Sequence, residues 1–212
     1  VVPRLTVISV FKVNEVFYSL HGEGAYAGTP SVFCRFSGCN MWSGLPGDKA
    51  SSACPFCDTD FVGGVKVDED ELFGKITAAW PAGKVGARVV FTGGEPTLQL
   101  TDSLVARLKR ANFNVAIETN GYRKLELTQP CWVTVSPKRA DILVRKGAEL
   151  KLLYPHLTLT PDQFADLDFR HFYLQPIAGP DYASNLAAAA TYCLENPQWR
   201  LSLQTHKIIG LR

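Results

Sequence analysis

The stretch RVVFTGGEPTLQLTDSLVARLKRANFNVAIETNG, residues 88–121, reads as one strand–helix–strand unit. RVVFTGG (88–94) is an apolar run of strand length, LTDSLVARLKRANF (100–113) has its apolar residues at helical spacing, and NVAIETNG (114–121) is a second apolar run. Strands buried on both faces and joined by an amphipathic helix belong to parallel sheets. The same rhythm continues downstream. CWVTVSPK (131–138), GAELKLLYP (147–155), RHFYLQPI (170–177) and RLSLQTHK (200–207) read as strands, and PDQFADLD (161–168) and SNLAAAATYCLENP (184–197) read as helices.

Upstream, KVNEVFYSL (12–20) alternates as a strand, HGEGAYAGTP forms a glycine-rich turn, and SVFCRFSG (31–38) is a second strand. A long loop follows to about Gly64. Asp68 then caps a helix running to Trp80, with Glu71 three residues on and Leu72, Ile76 and Ala79 on one face; Pro81 and Gly83 stop it. The strands outnumber the good helices. A complete eightfold barrel takes about 250 residues, and the chain has 212. The expected fold is α/β, an incomplete or trimmed TIM-like barrel with mostly parallel strands, in a single domain over 1–212 that carries a loop insertion at 39–57.

Hydrophobic residues make up 46% of the chain, as in an ordinary globular protein. Lys and Arg number 22 against 20 for Asp and Glu, a net charge of +2 that gives no support for broad nucleic-acid binding. No apolar run is long enough to span a bilayer, and VVPRLTVISVF at the N-terminus lacks a small-residue cleavage pattern and is not read as a signal peptide. A cytoplasmic protein is expected.

The six cysteines divide into two sets. Cys34, Cys131 and Cys193 sit inside apolar periodic segments and read as core thiols, and a chain of this length needs no disulfide staples. Cys39, Cys54 and Cys57 cluster in SGCNMWSGLPGDKASSACPFCDTDF (37–61), with gaps of fourteen and two residues. Three thiolates suit either a zinc site completed by His21 or Asp58, or a four-iron cluster that leaves one iron open; the spacing admits both. The polar clusters Thr92–Pro96, Glu118–Gly121, Ser136–Lys138, Gln175–Pro176 and Thr205–Lys207 all fall at C-terminal ends of expected strands, the edge that carries the active site in barrels.

These pieces resemble the radical S-adenosylmethionine (SAM) superfamily: cysteines after the first barrel strand, Phe56 before the last of them, and Gly93-Gly94-Glu95-Pro96 after the second. The enlarged first gap departs from that superfamily's usual CxxxCxxC spacing. It is similar to the 7-carboxy-7-deazaguanine synthase family, as are EVFYSLHGEG (15–24), FCRFSGCN (33–40), CPFCDTDF (54–61), IETNG (117–121), VSPK (135–138) and LQTHK (203–207). The resemblance covers nearly the whole chain. It implies a carbon–nitrogen lyase that contracts the ring of 6-carboxy-5,6,7,8-tetrahydropterin to 7-carboxy-7-deazaguanine with loss of ammonia, toward queuosine and related deazapurines of tRNA.

The resemblance also implies ligands. Cys39, Cys54 and Cys57 would hold a [4Fe–4S] cluster whose open iron binds SAM, with Phe56, Thr92, Gly93, Gly94, Glu95, Ser136, Lys138 and Gln175 around that cofactor. Glu15, His21, Gly22, Glu23, Arg35, Glu118, Asn120, His206 and Lys207 would surround the substrate, and Thr59 would bind Mg²⁺. His21 stands where the family usually has Gln. A homodimer and a flavodoxin- or ferredoxin-like electron donor are implied partners; a membrane and nucleic acid are not. Two other readings share parts of the pattern: an activating enzyme that acts on a polypeptide, and a zinc-binding module without catalysis.

Overall fold

A computed structural model describes residues 9–212; most of the N-terminal segment weighed above as a leader lies outside that range. Nine strands form one open sheet in the order β3-β1-β2-β4-β5-β6-β7-β8-β9. They are β1 (Val10–Leu20), β2 (Pro30–Phe36), β3 (Val65–Asp68), β4 (Arg88–Gly93), β5 (Asn114–Thr119), β6 (Trp132–Val135), β7 (Lys146–Tyr154), β8 (Asp168–Pro176) and β9 (Trp199–Leu201). The helices are α1 (Glu69–Ala79), α2 (Asp102–Arg110), α3 (Tyr182–Glu195) and the single turn α4 (Thr205–Ile208). From β2 through β9 every pairing is parallel, whereas β1 pairs antiparallel with both β2 and β3. This is the trimmed barrel expected, extended at one edge by an antiparallel hairpin. Among the described residues no helix is long and apolar enough to cross a membrane.

Side chains of alternate residues point to opposite faces of a strand, and the sequence uses that period to separate two environments. The convex face is apolar. Phe11, Cys34, Phe36, Val89, Phe91 and Val115 meet Leu72 and Ile76 of α1 and Leu104, Val105 and Leu108 of α2. Phe36 stacks between Phe11, at 6.0 Å, and Phe91, at 5.7 Å. A second core joins Leu150, Leu152, Leu174 and Trp199 to Ala189 of α3. No helix follows β5 or β6, so Ile142 and Val144 of an irregular segment cover that part of the second core. Asp68 accepts from the Glu71 amide at 2.8 Å and so caps α1, while Thr101 accepts from Leu104 at 3.3 Å and caps α2. Cys34 is fully buried, and Cys131 and Cys193 pack at the edges of the two cores.

Three elements differ from the expectation. The short VKVD strand β3 carries only two apolar residues and gave no periodic signal. PDQFADLD makes one helical turn, Pro161–Phe164, and Asp168 then already begins β8. RLSLQTHK is a strand only to Leu201. After the Ser202 amide bonds Leu174 O at 2.8 Å, the Thr205 amide and hydroxyl both donate to Gly22 O, at 2.9 and 3.1 Å, and turn the chain into α4.

The Gly93-Gly94 turn is dictated by close approach. Gly93 has φ 121°, and a Cβ there would meet the Phe36 backbone. A Cβ on Gly94 would meet the carbonyl of Gly38. The amides of Gly94 and Glu95 donate to Phe36 O at 3.1 Å and Gly38 O at 2.8 Å. The turn after β4 is thereby clamped onto the exit of β2, immediately before Cys39. Gly94→Ala is expected to lower the unfolding free energy by about 2 kcal/mol, in the range of overpacked buried sites. Anaerobic urea denaturation measures this, and a midpoint equal to that of the parent protein contradicts the clamp.

Candidate active site

Toward the C-terminal ends of the strands the concave face becomes polar, beyond buried Val90 and Ala116. Arg35 of β2, Thr92 of β4, Glu118 of β5, Thr134 of β6, Glu149 and Lys151 of β7 and Gln175 of β8 project to it, each next in sequence to a buried or partly buried apolar residue such as Phe36, Phe91, Ile117, Val135, Leu150 or Leu174. At the C-terminal ends of the strands these side chains, Glu149 excepted, open into two adjoining cavities, of about 1030 Å³ and 1170 Å³. Glu23, Asp58, Thr59, Thr92, Glu118 and Gln204 line both and form the boundary between them.

The first cavity contains all three clustered thiols, Cys39, Cys54 and Cys57, with Phe56, Thr92, Gly93, Gly94, Asn120, Ser136, Lys138 and Gln175 around them. Burial raises the Cys54 thiol to about 11 against the opposing pull of Lys138, and burial raises Cys39 as well. Lys138 donates to Ser136 Oγ at 2.7 Å, and burial lowers its ammonium while Cys54 raises it. The loop between Cys39 and Cys54 is built rather than loose. Asp48 accepts from Trp42 Nε1 at 3.0 Å and Ser43 Oγ at 2.9 Å, Pro46–Ser51 forms a helical turn, and the Trp42 ring meets Phe61 edge-on at 5.4 Å. Met41 and Trp42 form part of the cavity wall. Asn120 Nδ2 donates to Asn40 Oδ1 at 2.6 Å and ties the start of this loop to the end of β5.

Glu95 is placed differently from its neighbours. It does not line either cavity and is fully buried. Its Oε1 accepts from Thr97 N at 3.0 Å, Thr97 Oγ1 at 2.7 Å and Thr119 Oγ1 at 2.7 Å, and its Oε2 accepts from Asn120 N at 2.7 Å. It fastens the ends of β4 and β5 together beneath the cavity floor, so the structure gives it a positioning place and no open face toward a cofactor.

The second cavity gathers Glu15, His21, Gly22, Glu23, Arg35, Glu118, His206 and Lys207; Asn120 belongs to the first. Arg35 Nε donates to Glu15 Oε1 at 2.8 Å, and Arg212 pairs with the other oxygen of Glu15. Phe17 and Phe33 stack at 5.2 Å along one wall. His206 reaches in over Gly22, where any Cβ would run into the imidazole, and its buried Nδ1 has no hydrogen-bond partner among the described residues. Burial lowers the pKa of His206, with Glu23 opposing. Thr59 lies between the two cavities.

Charges at the boundary form one network centred on Lys151, whose side chain is 5% exposed. Its ammonium pairs with Glu23 and lies 3.7 Å from Glu118, which His21 Nε2 approaches at 3.3 Å. Glu23 Oε1 also accepts from Gln175 at 3.1 Å and Gln204 at 2.9 Å. Burial pushes the Glu118 carboxyl up, but Lys151, His21 and Arg35 outweigh it and hold it well below the usual range. Burial likewise pushes Lys151 down, and Glu118, Glu23 and Glu149 outweigh that and hold it above the usual range.

Two readings of the thiol cluster are thereby corrected. His21 is no fourth metal ligand, since its Nδ1 accepts from the Glu23 amide at 3.3 Å and its Nε2 faces Glu118. Asp58 is committed to Lys207 and Gln204. Among the described residues no three His, Cys, Asp or Glu side chains converge on one ion-sized point, as a closed zinc site with ligands at about 2.0–2.3 Å would require. Lys151, Gln204, Trp42 and Asn40 escaped the sequence reading. For Lys151 a signal existed: in GAELKLLYP a charge pair two residues apart, Glu149 and Lys151, interrupts an otherwise apolar strand on one face.

Comparison with known proteins gives concordant results. The family model for the radical SAM superfamily matches residues 46–196, which include Cys54 and Cys57 and leave out Cys39. The chain is 48% identical to the 7-carboxy-7-deazaguanine synthase of Caulobacter vibrioides and 49% identical to that of Bordetella pertussis, in each case over 95% of this chain and 99% of the relative. Its fold matches the crystal structure of QueE from Escherichia coli with a TM-score of 0.68 at 26% identity, covering 92% of this chain and 94% of that one.

The boundary network sets a pH dependence. Glu118, held low, adds stability above its ordinary unfolded pKa of about 4.3 and gives it up as pH falls toward its lowered native value. Lys151, held high, adds stability below its ordinary value of about 10.4 and gives it up as pH rises through its native value. Lys151→Met leaves two carboxylates without their counter-charge and is expected to cost about 3 kcal/mol at pH 7. The difference from the parent protein should shrink at pH 3, below the ordinary glutamate pKa of about 4.3, where an unpaired carboxyl can take up a proton. Urea denaturation at both pH values checks this; a difference that does not change with pH contradicts the network.

Proposed function

We propose how this chain, a member of the radical SAM superfamily and within it of the 7-carboxy-7-deazaguanine synthases, uses its two cavities. Its reaction is the ring contraction of 6-carboxy-5,6,7,8-tetrahydropterin to 7-carboxy-7-deazaguanine with loss of ammonia, a step toward queuosine. The observation that carries the assignment of roles is the pairing of a thiol-lined cavity with an Arg- and carboxylate-lined one across a shared wall.

Cys39, Cys54 and Cys57 hold the [4Fe–4S] cluster in the first cavity. Their fit to it rests on three free thiols facing one cavity with no fourth donor closing the set among the described residues. When bound, the cluster and SAM supply one-electron reduction, cleavage of the sulfonium and abstraction of a substrate hydrogen atom. Gly93 and Gly94 present backbone at the cavity wall, and Ser136, Lys138, Gln175 and Phe56 line the space for the rest of SAM. Lys138 matches a carboxylate, since it has no acidic partner within ion-pair distance among the described residues.

In the second cavity Arg35 spends only Nε on Glu15, and its two terminal nitrogens bond no protein acceptor among the described residues. They suit the substrate carboxylate. Glu118, whose carboxyl is held low by Lys151, and Glu23, which pairs with the same ammonium, accept from the N–H groups of the pyrimidine edge. The unpartnered Nδ1 of His206 provides a further polar contact, and the stacked Phe17 and Phe33 pack against the planar ring. Thr59, on the shared wall, offers a hard oxygen to Mg²⁺. A homodimer belongs to this reading too: Val10 and Val65, 58% and 61% exposed beside the β3 edge, give a second copy apolar surface to cover. A flavodoxin- or ferredoxin-like protein is the electron donor, and the chain works in the cytoplasm as one domain.

Anaerobic incubation with the carboxypterin, SAM, a reductant and Mg²⁺ is expected to yield the deazaguanine product. Reconstituted protein should bind about four irons and four sulfides. Cys54→Ala should retain neither the cluster nor turnover, whereas Arg35→Lys should keep the cluster and raise KM at least tenfold, the effect of about 1.4 kcal/mol lost on one bidentate contact. Absence of product with full cluster content overturns the substrate assignment. A complete four-iron cluster in the Cys54 variant overturns the ligand assignment.

A further inference from the structure

At the other end of the barrel, where the strands begin, lies a third cavity of about 740 Å³. It is lined by Arg88, Lys109 and Arg170 and contains no carboxylate. None of these cations makes a salt bridge or side-chain hydrogen bond among the described residues, and residues 1–8 contain no Asp or Glu that could pair with them. In a chain of net charge +2, acidic side chains are abundant enough to neutralise such a group; here they are kept away.

The guanidinium groups are held in place by aromatic rings instead. Arg88 lies 3.5 Å from the centroid of Tyr26, and Arg170 lies 5.7 Å from that of Trp132. Tyr26 and Trp132 meet edge-on at 4.6 Å, and Trp132 Nε1 donates to Glu149 Oε1 at 2.7 Å, so both platforms are fixed. An arginine on an aromatic face keeps its full charge and its hydrogen-bond donors at the guanidinium edge. Gly147 and Ala148 keep the floor low, and a Cβ on Gly147 would press on Phe169 and Val133 O.

We infer that this cavity is a second ligand site that binds a phosphoanion, with Arg88, Lys109 and Arg170 as its donors. Two immobilised forks and one flexible ammonium match a phosphoryl group's several acceptor oxygens. The phosphate could be free or part of a nucleotide, whose base would then rest on the rim of the Tyr26–Trp132 pair.

Isothermal titration of the cluster-loaded protein, with SAM saturating so that the first cavity is filled, tests this with sodium pyrophosphate and with ATP. Saturable binding of one molecule per chain, with Kd below about 1 mM and at least a tenfold loss in Arg170→Glu and Lys109→Glu, is the expected result. Both substitutions lie at the opposite end of the barrel from the reaction, so iron content and turnover should stay at parent levels and report that the variants are folded. Tighter binding of ATP than of pyrophosphate identifies a nucleotide as the better occupant; equal binding identifies the phosphate alone, and either supports the site. Absence of saturable binding, or binding unaltered in both folded variants, overturns the inference.

Discussion

The carboxylate of Glu95 faces neither cavity, yet the placement of the groups that do follows from what it binds. A carboxylate at 0% exposure is tolerable only when donors replace its lost hydration, and here four do so, from Thr97, Thr119 and Asn120. Charge-assisted bonds of this kind contribute about 1.5–3 kcal/mol each, so the ends of β4 and β5 cannot separate cheaply. The constraint then passes outward. Asn120, with its amide fixed, uses its side chain to hold Asn40, and the Gly93-Gly94 turn ahead of Glu95 clamps the exit of β2. Cys39 lies between those two attachments. A glutamate that lines neither cavity thus sets the first thiol against the glycine turn.

The second constraint is electrostatic. An open half-barrel has a concave face that must be either filled with apolar side chains or lined with polar ones that satisfy each other. This chain places an ammonium, Lys151, at the centre and surrounds it with Glu23, Glu118 and Glu149. Replacing such a buried set with apolar residues is often neutral or favourable for stability, so stability alone does not account for it. Its other consequence is positional: Lys151 holds the carboxylates of Glu23 and Glu118 at the wall between the two cavities, already fixed in place, and a preformed arrangement lowers the cost of reorganisation.

The strand–helix rhythm was legible because burial on both faces leaves continuous apolar runs, and the helices around it announced themselves through Asp68 and Thr101 caps and apolar spacing. The hairpin edge was less legible, since VKVD has too few residues to show a period. The end of RLSLQTHK could not be read at all: a carbonyl of Gly22, 183 positions away from Thr205, diverts the chain there. The site shows the same division. Thiols and glycine turns have chemical identities that stand out in one dimension. The roles of Lys151 and Gln204 come from partners on other strands. Glu95 was visible as part of a motif, but whether its carboxylate faced the cavity or the core depended on Thr119 and Asn120, one strand away.

The fourteen-residue gap between Cys39 and Cys54 can be weighed against the three residues usual in the superfamily. Each doubling of loop length adds about 0.6 kcal/mol of closure entropy, so roughly two doublings cost about 1.2 kcal/mol. The insert repays this within itself. Asp48 gathers Trp42 and Ser43, and Trp42 packs its ring on Phe61, four residues beyond Cys57. A single aromatic pair of this kind contributes about 0.5–1.5 kcal/mol, enough to offset the longer loop. The same Trp42 forms part of the first cavity's wall. The insertion therefore closes the loop on its own packing and returns Cys54 to the side of Cys39, and the ring that anchors it is the one that walls the first cavity.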